Sequence, residues 1–79
     1  MWYFLIRQSM PETTQYQELQ KKAILTEVEL FNDPYENWYI FTVEKEQYTA
    51  FMDYLDREGI EYNLMSDRPT RQELIQRMR

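Results

Sequence analysis

The sequence predicts a small α+β domain, and three observations carry that prediction. Two short runs, Trp2-Tyr3-Phe4-Leu5-Ile6 and Trp38-Tyr39-Ile40-Phe41-Thr42-Val43, are apolar on both alternating faces. Two others, around Val28 and Leu64, alternate apolar residues with Glu27, Glu29, Glu61 and Asn63. Between these strand-like runs lie segments whose apolar residues recur every three to four positions, the period of a helix with one buried face.

Each element follows in order. Trp2, Phe4 and Ile6 fall on one face of the first strand, with Tyr3, Leu5 and Arg7 on the other. Ser9 and Met10 end it, and Pro11 suits the first turn of a helix. From Glu12 to Ala23, Tyr16, Leu19 and Ala23 form a narrow apolar stripe, which predicts a short helix with a loop as the alternative. Ile24 to Phe31 is a half-exposed strand with Ile24, Thr26, Val28 and Leu30 on the inner side and Glu27 and Glu29 on the outer. Asn32-Asp33-Pro34-Tyr35-Glu36-Asn37 is rich in turn formers and makes a hairpin connection to the second apolar run. Tyr48, Phe51, Met52 and Leu55 then share one helix face, and Gly59 stands where a left-handed C-cap is wanted. Ile60, Tyr62 and Leu64 give a fourth, half-exposed strand. Thr70 and Glu73 form a Thr-x-x-Glu capping box that opens a terminal helix of about ten residues with Leu74, Ile75 and Met78 on one face.

The order β-α-β-β-α-β is that of the ferredoxin-like split βαβ motif, here with a short first helix and an extra C-terminal helix. In that arrangement strands one and three are central and strands two and four are edges, matching the doubly apolar and half-charged pairs. One domain is expected over residues 1–66, with 67–79 as a helical extension packed on it and Ser66-Asp67-Arg68 as the linker. The sheet's second apolar face then needs a cover. Three covers are open: the terminal helix through Leu74, Ile75 and Met78; a second copy of the chain, which is the leading expectation; or a partner or ligand. Tyr3, Leu5, Tyr39 and Phe41 are the sheet residues assigned to that face or dimer interface.

Composition limits the chemistry. At 79 residues the core is small, and two Trp, seven Tyr and four Phe are a way to gather burial in a short chain. Histidine and cysteine are absent, so the commonest general base, the commonest metal ligand, disulfides and thiolate sites are all missing. One glycine cannot supply a GxGxxG or P-loop phosphate cradle. Asp53, Asp56 and Glu58 lack the spacing of a calcium loop and belong to a solvated helix face. No cofactor and no metal are expected, nor catalysis. No stretch is long and apolar enough to span a bilayer, and the apolar start lacks a signal peptide's basic flank, so a cytoplasmic protein is expected.

Charge is uneven. The net value is −5, yet residues 23–44 hold five acidic side chains and no basic one, while residues 68–79 hold four arginines and one glutamate. An acidic body disfavours direct nucleic-acid binding. The terminal arginines suit a helix C-terminus, packing on the chain's own acidic body, or head-to-tail contact between copies. The leading functional expectation is a non-enzymatic protein-interaction or regulatory module, in homodimeric form. It would bind a protein through Glu27, Glu29, Asp33, Tyr35 and Glu36, with the acidic surface imitating phosphate to inhibit a DNA- or RNA-binding protein. One alternative is a dimeric ligand-binding protein or enzyme in which Arg7, Tyr3 and Tyr39 anchor an anionic substrate. A weaker one is an RRM-like platform of Tyr3, Tyr39 and Phe41, although Trp38–Val43 lacks the Gly-containing motif of that module.

Overall fold

The computed structural model describes residues 1–78. It contains seven elements: β1 (Trp2–Arg7), α1 (Thr13–Lys22), β2 (Leu25–Glu29), β3 (Trp38–Val43), α2 (Tyr48–Glu58), β4 (Asn63–Met65) and α3 (Arg71–Arg77). The strands form one antiparallel sheet in the order β2-β3-β1-β4, so the doubly apolar strands are central and the half-charged ones are edges. Because β1 and β2 both run antiparallel to β3, they are parallel to each other with β3 between them; β3 and β4 flank β1 in the same way.

Two layers cover the sheet. On one side Phe4, Ile6, Phe41 and Val43 meet Leu19 of α1, Phe51 and Leu55 of α2, and Ile60, forming the larger core. On the other, Leu5, Trp38 and Ile40 enclose Leu74 of α3, which is fully buried. The terminal helix is therefore what covers the second face, in place of the second copy expected first. Central strands between two layers must be apolar on both sides, which is why β1 and β3 lack alternation.

Local chemistry sets the element ends. Pro11 lies just before the N-cap Glu12 and not within the first turn of α1, and the Gln15 side chain accepts the Glu12 N–H at 2.9 Å. Gly59 adopts φ 69°, and the Ile60 N–H reaches back to the Leu55 carbonyl at 2.9 Å while the Gly59 N–H reaches Asp56 at 3.3 Å. This Schellman closure turns Ile60 into the core beside Leu55, its usual hydrophobic companion. Ile60 and Tyr62 consequently precede β4, which is three residues long. In α3 the Thr70 hydroxyl accepts the Glu73 N–H at 3.2 Å and the Glu73 carboxylate accepts the Thr70 N–H at 3.1 Å, forming the capping box, but the helix is seven residues long.

Register corrects the assignment of residues to faces. Tyr3 lies opposite Thr42, Leu5 opposite Ile40 and Arg7 opposite Trp38. Facing residues in an antiparallel pair share a side. Tyr3 and Leu5 thus belong with Trp38, Ile40 and α3, whereas Tyr39 and Phe41 belong to the opposite face, against Tyr16. A single aromatic platform of Tyr3, Tyr39 and Phe41 does not exist, and neither does a shared anchor of Arg7, Tyr3 and Tyr39.

Candidate functional site: a clasped acidic strand and an open sheet edge

The acidic residues assigned to partner binding are largely engaged within the chain. Arg68 donates from Nη2 to Glu27 Oε2 at 2.8 Å and from Nε to Oε1 at 3.2 Å, a two-pronged pairing, and Nη2 also reaches Glu29 at 3.2 Å. Arg71 Nη1 lies 2.6 Å from the other Glu29 oxygen, and its Nη2 donates to the Leu30 carbonyl at 2.9 Å. Its guanidinium also sits over the Phe31 ring, 4.3 Å from the centroid. Arg71 occupies the first turn of α3, where the helix dipole disfavours a cation. Glu29 and the Leu30 carbonyl offset that cost and fasten α3 across β2.

The loop candidates are partly absorbed as well. Glu36 pairs with Arg7 at 3.3 Å. The Tyr35 N–H donates to the Asn32 carbonyl, and its ring is half-buried; Asp33 is exposed. Asn37 organises this loop, a role that sequence reading missed. Its Oδ1 accepts the Phe31 N–H at 2.8 Å, its Nδ2 donates to Gln8 at 2.9 Å, and its carbonyl accepts the Gln8 N–H at 3.0 Å. An Asn at the end of a turn-rich segment was the available signal. Met78 closes the far side: its sulfur accepts the Trp38 indole N–H at 3.0 Å and the Glu36 N–H at 3.2 Å. Ile75, between the buried Leu74 and Met78, is half-buried.

The Arg68 clasp has a pH signature. Its hydrogen bonds hold the Glu27 carboxyl below the ordinary value of 4.5, against an opposing desolvation cost. A depressed folded-state pKa means that the unfolded chain binds the proton more readily. The stabilisation is complete above about pH 4.5 and is lost as pH falls through the lower folded value. Wild-type protein is therefore expected to lose more stability between pH 5 and pH 3 than Glu27→Gln, in urea titrations about one pH unit apart. Parallel pH profiles for the two proteins would show the clasp absent.

Two further surfaces are open besides the exposed carboxylates of α2 and its flanking turns. A cleft of about 640 Å³ lies where β4 parts from β1, bordered by Arg7, Trp38, Tyr62, Asn63 and Arg77. Arg7 sits 5.6 Å from the Trp38 ring centroid, and Arg77 donates to Asn63 at 3.3 Å. Asp56 and Glu61 also border it, so its charge is mixed. The second surface is the β2 edge. Val28 and Leu30 were expected inside, but Ile24, Leu25, Val28 and Leu30 are 51%, 52%, 44% and 62% exposed. The stripe of α1 is narrow, and Tyr16 stacks over Tyr39 of β3, 4.6 Å between centroids, leaving the outermost strand open.

Among the described residues no group of three or more acidic, histidine or cysteine side chains is placed to hold a metal ion, and no helix is long and apolar enough to cross a membrane. The geometry defines an α+β protein with a four-stranded antiparallel sheet covered on both faces. No family model, curated protein or solved structure matches the chain.

Proposed function

We propose that this chain is a small non-enzymatic protein-interaction module of the cytoplasm, which binds a basic, nucleic-acid-binding protein and regulates or inhibits it by occupying the groove meant for phosphate. The observation that supports this reading is where the unpaired charge lies. With Glu27, Glu29 and Glu36 held by arginines, the free carboxylates gather on α2 and its flanking turns: Glu44, Glu46, Asp53, Asp56, Glu58 and Glu61. All six are exposed and none is ion-paired among the described residues, while Lys45 and Arg57 are the basic residues of that stretch. The acidic surface on this reading is the outer face of α2, and Glu27, Glu29 and Glu36 serve the fold. The parallel β1/β2 and β3/β4 pairs, each split by a central strand, support placing the chain with ferredoxin-like folds.

The test is capture from a nuclease-treated lysate of the source cells, in low and high salt, by wild type and by the Asp53→Asn, Asp56→Asn, Glu58→Gln, Glu61→Gln variant. A nucleic-acid-binding protein retained stoichiometrically by wild type, released by salt and lost with the variant is the expected result. Retention unaffected by both changes would remove phosphate imitation. The cleft beside Trp38 favours a second reading, a binding protein for a small aromatic anion held between Arg7 and Arg77. Titration of Trp2→Phe protein with a phenolic carboxylate should then quench Trp38 fluorescence saturably, and a linear response argues against it.

A further inference from the structure

β2 pairs only with β3, so its outer rim is an open sheet edge. Monomeric proteins blunt such edges with lysine, proline, bulges or charge. Residues 24–30 contain neither lysine nor proline, and their two glutamates are neutralised by Arg68 and Arg71 of the same chain. Four of the five large hydrophobic residues exposed among the described residues fall in this heptapeptide, with Val28 on the α1/α2 side and Leu25 on the α3 side of the same edge.

We propose that this edge pairs antiparallel with the same edge of a second copy, joining two four-stranded sheets into one of eight. The proposal is independent of the α2 reading, since it uses a different surface. A two-fold axis perpendicular to the sheet must set one residue opposite its own counterpart, because facing residues share a side. Within Ile24-Leu25-Thr26-Glu27-Val28-Glu29-Leu30 the register centred on Glu27 uses the whole segment, sets only apolar or neutral residues opposite one another on the α1/α2 side, and leaves Leu25 facing Glu29 of the partner subunit on the α3 side. Ile24 then faces Leu30 of the partner subunit and Thr26 faces Val28 of the partner subunit, on the α1/α2 side of the sheet. On the α1/α2 side the facing positions are thus self-complementary, and this suits a second copy of the chain.

Charge complementarity supports the same register. Glu27 would face Glu27 of the partner subunit on the α3 side, and two bare carboxylates directly opposite repel. Each carries its own two-pronged Arg68, so the junction holds two carboxylates and two guanidiniums. Arg68 therefore has a second role besides fastening α3: it permits the glutamates to meet.

The test is sedimentation equilibrium of the full chain over a range of concentrations in low salt. Wild type is expected to reach twice the monomer mass of 9.9 kDa. Val28→Lys, at an exposed position, is expected to stay folded by circular dichroism and to be monomeric. Arg68→Ala should weaken association about tenfold or more, since the loss occurs twice in a symmetric dimer. Adding Glu27→Gln to Arg68→Ala should restore it, because the repulsion is gone although the α3 clasp is still broken. A wild type that stays monomeric at its solubility limit overturns the proposal and leaves the edge to a foreign strand. A dimer indifferent to Val28→Lys overturns it in favour of another face, and failure of Glu27→Gln to rescue overturns the Glu27-centred register.

Discussion

Leu74→Ala is expected to destabilise the domain by about 2–5 kcal/mol and to release α3 from the sheet. Leu74 is the fully buried side chain of that helix, set among Leu5, Trp38 and Ile40. A total stability of roughly 5–15 kcal/mol is normal for a domain, so the loss is a large share of it. The readout is specific. In a Trp2→Phe background Trp38 is the sole indole, and its N–H bond to Met78 depends on α3 staying in place. Undocking lets water reach the ring, so emission should shift to the red in buffer, together with a lower urea midpoint. An unchanged spectrum and midpoint would mean that α3 does not cover this face in solution.

Phe41→Ala is the second large effect, at about 3–5 kcal/mol. Its ring is fully buried, 5.5 Å from Phe51, 6.0 Å from Tyr39 and 6.2 Å from Tyr16 between centroids. Aromatic neighbours at these distances add to the simple burial of area. One truncation thus loosens both helices from β3. The near-ultraviolet circular dichroism of the tyrosine cluster should collapse well before the far-ultraviolet signal, and Phe41→Leu should recover most of the stability. A Phe41→Ala protein with wild-type unfolding would contradict the position of the ring in the core.

The two sites differ in how far the sequence reveals them. Phe41 stands in a run apolar on both faces, and that pattern already requires a strand with a layer on either side. Leu74 stands in a short amphipathic segment whose target is not written in its own residues. Three covers for the second face were open from the sequence, and contact between Leu74 and Ile40 is what distinguishes them. The capping signals of Thr70, Glu73 and Gly59 were legible because each acts within a few residues of chain. The β4 boundary was not, since Ile60 has the alternation of a strand but is drawn into the core by the Schellman turn before it.

Charge shows the same division. The acidic middle and basic end are plain in the sequence, and their attraction could be expected. Which acid meets which arginine depends on α3 crossing β2, some forty residues earlier in the chain. That crossing engages Glu27 and Glu29, while Glu36 is held separately by Arg7 of β1. It also leaves β2 neutral and apolar at the edge.

By itself, then, the sequence determined the class, the order of elements, the central position of β1 and β3 and the absence of histidine and cysteine chemistry. These rest on periodicity, capping and composition, which are local. The cover of the second face, the separation of Tyr3 from Tyr39 and Phe41, the engagement of the β2 carboxylates and the exposure of Ile24, Val28 and Leu30 come from the assembled fold. Each of these depends on strand register or on contacts between distant segments, and the alternation of a strand names its two faces without saying which neighbour each will meet.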